Sequence, residues 1–521
     1  EATAYRISTP EQLARLAYLV NNGSEEYMFS NTYFVQTANL DMSEYWWDAI
    51  GTSSYYFSGH YDGGNFTISG LYTQAGSSST YNYQGLFGYV RGQSSSTEAT
   101  IKNIGIIDSN IQGYQYVGGV VGDANSSTIT NCYNTGTVTG SSSYVGGVVG
   151  DANSSTIENC YNTGTVTGSG YFVGGVAGSG GYSTITNCYN TGNITGDGER
   201  VGGVVGETYR CTITNCYNTG SVEGGSDVGG VVGNNNYSTI TNCYNTGNIT
   251  GDGERVGGVV GETYRCTITN CYNTGSVEGG SDVGGVVGND NYSTITNCYN
   301  TGSATGSEDD VGGVAGGAYR CTITNCYYGG NCTLSYGIGS LSSNTGASKD
   351  ENLIANAKSL SWYQDSSKWN SSYPWDFVEV WSLVPSANDG YPILRSFFLQ
   401  VTYDSNLGDG NTVTTEVPNG ESITIEGYDL FARTGYEISH WNTSSTGSGV
   451  NYYAGDVYAG GASLTLYAQW EPAVYRIELN ANGGSGGLSA MYVKYNTGFY
   501  SNSAATAGLS SLSNSNLPTR A

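Results

Sequence analysis

Between residues 117 and 327 the chain alternates short apolar runs with glycine, asparagine and hydroxyl residues, and the pattern recurs at fixed intervals. Val-Gly-Gly-Val begins at Val117, Val145, Val173, Val201, Val228, Val256, Val283 and Val311, a spacing of 27 or 28 residues. Each copy is followed by Ser/Cys-Thr-Ile-Thr/Glu-Asn-Cys-Tyr, and most then by Thr-Gly-x-Val/Ile-x-Gly. Residues 193–247 recur as 248–302 with one change, Asn235 against Asp290, the mark of a duplicated two-repeat block. A unit reads as three short β-prone pieces separated by turn residues, with no 3.6-residue period. Such a unit cannot bury its own apolar side, but it can when stacked on copies of itself. The expected fold is therefore all-β, a right-handed parallel β-helix with one solenoid rung per ~28 residues and equivalent side chains stacked at ~4.8 Å. Roughly ten rungs give a rod about 50 Å long at that spacing. The Ile129 and Val120 columns are its predicted core. An eight-bladed propeller is disfavoured, because blades need ~40 or more residues.

The ends of a solenoid need covering, since they expose core and strand edges. In residues 1–32, Thr9 can cap a helix with Pro10 at its first position. Leu13, Leu16, Ala17 and Val20 then form an apolar stripe expected to lie over the first rung. The solenoid is assigned to residues 33–335, regular from 117. Its C-terminal cap is assigned to 336–397, a stretch carrying Trp362, Trp369, Trp375 and Trp381.

The unit Val-Gly-Gly-Val-Val-Gly followed by Ser-Thr-Ile-Thr-Asn-Cys-Tyr-Asn-Thr-Gly resembles the GLUG motif. That motif occurs in bacterial surface proteins, including some relatives of IgA peptidases. Gly85-Leu86-Phe87-Gly88 resembles a diverged copy, and the stretch from Trp47 to Gly63 resembles the entry rungs of such proteins. Further on, Val401, Tyr403, Gly427-Tyr428, Gly435-Tyr436, Trp441-Asn442 and Leu466-Tyr467-Ala468-Gln469-Trp470 resemble a Listeria–Bacteroides repeat. The resemblance implies a small β-grasp-like module over 398–472. A second copy starts near Tyr475, within 473–521, and Ala521 comes before its expected Trp strand, so a longer parent protein is expected. Leu517-Pro518-Thr519-Arg520 does not fit a sortase signal.

Composition narrows the function. Among 521 residues there are 80 Gly and 46 Tyr but 7 Pro, which excludes collagen. The formal charge of −26 leaves no basic footprint for nucleic acid and disfavours an anionic membrane surface. No run of 18 apolar residues spans a bilayer.

Two columns are candidate features. Cys132, Cys160, Cys188, Cys216, Cys243, Cys271, Cys298 and Cys326 form a predicted core column. Cys211, Cys266 and Cys321 form a second, and Cys332 falls in the Val138 column. Neighbours in the long column are ~4.8 Å apart with parallel Cβ vectors, so the thiols are read as small buried hydrophobes, not disulfides. The adjoining Tyr133, Tyr161, Tyr189, Tyr217, Tyr244, Tyr272, Tyr299 and Tyr327 would point outward and stack, as a binding or self-assembly surface or as a self-supporting row. The outward Thr128 and Thr130 columns suit an exposed strand, and the flat Thr-x-Thr face of an ice binder is broken by Glu158. Asn131 and Asn134 head columns read as amide ladders.

No metal site is predicted, and no cofactor. Calcium is conceivable only at acidic turns such as 196–200, 251–255 and 307–310. The two histidines, His60 and His440, lie far apart. No catalytic residue is assigned. There is no His-Glu-x-x-His, so the peptidase chemistry of some relatives does not carry over. The Gly-x-Ser-x-Gly string at 483–487 lacks a strand–turn–helix context. Carboxylate pairs lining a groove, as in polysaccharide-acting β-helices, would be built by tertiary pairing that no motif reveals. The expected function is a non-enzymatic, secreted or cell-surface bacterial rod. It would bind a host or environmental glycan or protein as an adhesin or display stalk. The alternatives are a self-assembling extracellular filament and, less favoured, a polysaccharide-acting enzyme.

Overall fold

The computed structural model describes residues 4–23, 29–74, 76–93, 98–334, 336–341, 359–365, 368, 375–384, 388–418, 422–458, 463–480 and 487–509. Trp369, residues 483–486 and residues 517–520, all singled out above, lie outside the described residues. The chain forms two compact units, Glu1–Ser396 and Phe397–Ala521.

The first unit is a parallel β-solenoid. Its strands stack into one 21-stranded, one 10-stranded and two 8-stranded sheets. Register is strict: Ile185 pairs with Ile213, Ile213 with Ile240, and Tyr189 with Tyr217. Each turn is cut more finely than the three pieces expected. The turn from Val201 contains Val201–Gly202, Val205–Tyr209, Thr212–Thr214, Tyr217–Asn218 and Val222–Gly224. The cuts fall at residues with left-handed backbone, Arg200 (φ 66°), Arg210 (φ 54°) and Asn215 (φ 54°). Strain of ~1–3 kcal/mol at such positions needs surrounding structure to hold it. The amides of Arg210 and Asn215 supply part of that, bonding to Asn236 O at 2.9 Å and Thr241 O at 3.1 Å on the next turn.

The Val-Gly-Gly-Val corner is glycine for steric reasons. A Cβ on Gly203 would meet the Gly230 carbonyl oxygen at 2.1 Å and Asn218 Cγ at 2.4 Å. Inside, Val201, Val204, Val205, Ile213 and Cys216 are wholly buried and Val222 nearly so, all in one continuous core. Burying each Val or Ile side chain contributes about 1.5–3 kcal/mol.

The helix Pro10–Asn21 forms as its sequence predicts. Thr9 Oγ1 accepts a hydrogen bond from Gln12 N, and Leu13, Leu16, Ala17 and Val20 are buried in the solenoid core. The solenoid starts earlier than expected, however. The strand Tyr5–Ile7 precedes the helix and pairs in parallel with Tyr33–Gln36, so the helix belongs to the first turn. At the far end, Ile338–Leu341 pairs with Ala315–Tyr319. Beyond it come the helix Leu360–Tyr363 and the antiparallel pair Trp381–Ser382 with Ile393–Leu394.

In the second unit, Phe398–Asp404 pairs antiparallel with Thr412–Pro418 and parallel with Leu464–Pro472. The resulting five-stranded sheet packs Leu399, Val401, Tyr403, Trp441, Leu466 and Ala468 into its own core. A four-stranded antiparallel sheet follows, from Val474 to Leu509.

Candidate binding surface

The predicted tyrosine column forms a stack. From Tyr133 through Tyr161, Tyr189, Tyr217, Tyr244 and Tyr272 to Tyr299, successive ring centres are 4.8–5.0 Å apart and tilted by 1–7°. The rings are less open than an exposed row would be. Tyr133 to Tyr244 are half-buried, because each ring shields the next, and Tyr272, Tyr299 and Tyr327 are buried. The cap folds onto these last three. Trp381 packs on Tyr272 and Tyr299, and Trp362 and Trp375 pack on Tyr327. The Tyr299 hydroxyl donates to Pro392 O and accepts from Asn388 Nδ2 at 2.7 Å. Burial pushes the Tyr161, Tyr189 and Tyr217 hydroxyls up to about 12. The C-terminal end of this column anchors the cap.

All twelve cysteines are buried free thiols. Those of the long column bond to backbone carbonyls, for example Cys188 Sγ to Thr186 O at 3.3 Å. Burial pushes the Cys266 thiol up to about 11. Beside them the Asn134 column forms a buried amide ladder. Asn190 Nδ2 donates to Asn218 Oδ1 and Asn218 Nδ2 to Asn245 Oδ1, each at 2.8 Å, and each amide also bonds a backbone carbonyl of its own turn.

An exposed aromatic array lies at a corner that the sequence reading passed over. Tyr182, Arg210, Tyr237, Arg265, Tyr292 and Arg320 occupy one column, all with φ of 52–59°. Tyr209, Tyr264 and Tyr319 stand one residue earlier on the arginine turns. The tyrosines meet edge to face in a continuous chain from Tyr182 to Tyr319, with centres 5.2–5.8 Å apart. Each arginine lies among these rings. Arg265 Cζ is 5.3 Å from the Tyr264 centre and 5.8 Å from both Tyr237 and Tyr292. Tyr182 is 55% exposed, and Tyr209, Tyr237 and Tyr292 are 38–39% exposed. Arg210, Arg265 and Arg320 are exposed, and none has a carboxylate partner among the described residues. The signal was in the sequence as the recurring Tyr-Arg-Cys and Asn-Tyr-Ser triplets.

A second patch lies on the strands before this corner. Asp123 and Asp151 stand in register on neighbouring strands. Tyr83, Tyr116 and Tyr144 stack nearby with centres 4.9 and 4.7 Å apart. Burial, with the neighbouring Asp151 charge adding, raises Asp123 to about 8, and burial raises Asp151 to about 6. Further along the same columns, charge pairing replaces the rings. Arg200 bonds Glu207 at 2.9 Å, Arg255 pairs with Asp227, and Asn234 Nδ2 bridges Asp227 and Glu262 at 2.9 and 2.8 Å. Among the described residues no group of three or more His, Cys, Asp or Glu is placed to hold a metal ion, the acidic turns included. His60 and His440 sit in different units.

Comparison with known proteins shows similarity in parts of the chain. Residues 113–139, 141–167, 197–223, 224–250 and 252–278 match the GLUG motif, and residues 400–469 match the Listeria-Bacteroides repeat domain. A "Putative Gly-rich membrane protein" of Evansella cellulosilytica is 37% identical over 100 residues, 19% of this chain and 12% of that protein. A "Putative membrane protein" of the same organism is 35% identical over 114 residues, 21% of this chain and 16% of that protein. The matches thus span less than a fifth of either relative's length. The solved structure of a "putative immunoglobulin A1 protease" from Bacteroides ovatus is 19% identical, with 76% of this chain and 93% of that chain covered and a TM-score of 0.35. The solenoid of this chain carries GLUG motifs, and a Listeria–Bacteroides repeat domain follows it.

Proposed function

We propose that this chain is a non-catalytic binding scaffold at the bacterial cell surface, its solenoid presenting a contact face to a glycan or protein. The observation that carries this is the exposed Tyr–Arg ladder from Tyr182 to Arg320. Exposed aromatic surface in an ordered array is the signature of a contact site, and Tyr is suited to it by combining an apolar ring with a polar tip. GLUG and Listeria–Bacteroides repeats, together with relatives named as membrane proteins, fit a cell-surface protein. No helix among the described residues is long and apolar enough to cross a membrane. Glycan and host-protein arrays probed with the full chain and with Tyr237→Ala/Tyr292→Ala test the reading. Binding that the double variant loses supports it, and equal binding by both proteins sinks it.

One observation favours a second reading, a polysaccharide-acting enzyme. The in-register Asp123–Asp151 pair, ~4.8 Å apart by strand spacing, resembles a proton-sharing carboxylate dyad beside an aromatic wall. Release of reducing ends from acidic or neutral glycans, abolished in Asp151→Asn, would establish that chemistry.

A further inference from the structure

We infer that the Tyr–Arg ladder receives a linear anionic polysaccharide bearing one negative charge per disaccharide. This rests on the reading of the ladder as a binding face and names its ligand class.

Charge comes first. The chain carries −26 overall with 17 Lys and Arg. Three of those arginines stand in one exposed column with no carboxylate partner among the described residues. The acidic residues on the same strands are engaged elsewhere: Glu207 with Arg200, and Glu262 with Arg255 and Asn234. The ladder is thus a locally cationic strip whose guanidinium edges are open to a carboxylate or sulfate, which Arg recognises with a planar fork of donors. Packing among rings holds each guanidinium in place, so little freedom remains to be lost on binding.

Spacing comes second. Arg210, Arg265 and Arg320 are each two turns apart, about 10 Å by strand spacing, with Tyr237 and Tyr292 on the intervening turns. For Arg210 and Arg265 that period follows from the duplicated two-repeat block, and Arg320 continues it. It approaches the length of an extended disaccharide, so a charged sugar can meet each arginine while the sugar between lies on a tyrosine ring. Exposed hydroxyls of Thr212, Thr239, Thr267 and Thr294 flank the strip. A protein partner would need a matching apolar surface, whereas the strip is narrow, periodic and polar-edged, as a linear glycan is.

The test is calorimetry on the full chain with three probes: hyaluronan, which carries one carboxylate per disaccharide, its carboxyl-reduced form, and dextran. Hyaluronan should bind, with affinity falling as salt rises, and the carboxyl-reduced form should bind at least tenfold more weakly. The triple variant Arg210→Gln/Arg265→Gln/Arg320→Gln should lose at least tenfold, and the triple Arg→Lys variant should regain part of it. Circular dichroism and melting checks that each variant is folded. Equal binding of the carboxylate and reduced forms, or by wild type and the folded Gln variant, overturns the anionic assignment while leaving a binding face. No binding of any probe, nor of any glycan or host protein on an array, overturns both.

Discussion

Arg265 Cζ sits 5.8 Å from the centre of the Tyr292 ring one turn further along the solenoid, in the column that both residues share. Arg265 makes the same contact back to Tyr237, so this arginine ties three turns together. At an exposed site one such contact is worth about 0.5–1 kcal/mol. With its third ring contact, to Tyr264, Arg265→Gln should therefore lower stability by no more than about 1.5–3 kcal/mol, with the far-UV spectrum unchanged. Chemical denaturation measures this. A larger loss would make the ladder chiefly a structural device.

The Asn134 column should be far less tolerant. Asn218 is fully buried and both accepts from Asn190 and donates to Asn245 and Gly220 O. Asn218→Leu leaves the Asn245 acceptor without its donor and removes one of the two acceptors of Asn190. The cost should be about 1–3 kcal/mol, from leaving buried polar groups unsatisfied. A variant melting with the wild type would show that the ladder carries no net stability.

Stability should fall as pH rises toward 8. Asp123 is raised to about 8 and Asp151 to about 6 in the folded chain, burial being the first cause in each. A carboxyl whose pKa is raised on folding contributes its full stability below the unfolded value near ~4 and loses it as pH climbs through the folded value. Glu207 and Glu262 are raised by burial too and act in the same direction. Melting temperature measured from pH 5 to pH 9 should decline, and Asp123→Asn should flatten the upper part of that decline. A wild-type profile rising over this range would contradict the assigned burial.

The thiols should stay reduced and inert. All twelve are free and buried. Native protein should show almost no reaction with a thiol reagent, and denatured protein should show twelve equivalents. Fast labelling in the native state would mean that the turns open.

What the sequence made legible was whatever depends on a turn and its immediate neighbour. Ile213, Val204, Cys216 and Asn218 repeat at the stacking period, so their columns could be read directly. Thr9 and the Leu13–Val20 stripe are local, and the helix followed. The fate of Tyr299 was not local: Trp381 and Pro392 lie more than 80 residues away and cover it. The Tyr–Arg ladder was missed for another reason. Its rings come from two adjacent positions, Tyr264 and Arg265 on one turn and Tyr292 on the next, and they converge only because Arg265 and Tyr292 hold positive φ. The Asp123–Asp151 pair and its place near Tyr116 come from strand register between neighbouring turns, which no motif marks.

The most direct test of the central claim is tyrosine footprinting by limited oxidation, with and without saturating hyaluronan. The account predicts protection at Tyr182, Tyr209, Tyr237 and Tyr292, with Tyr133 and Tyr161 unchanged. Protection confined to Tyr83, Tyr116 and Tyr144 beside Asp123 would contradict it and move the site to the acidic patch.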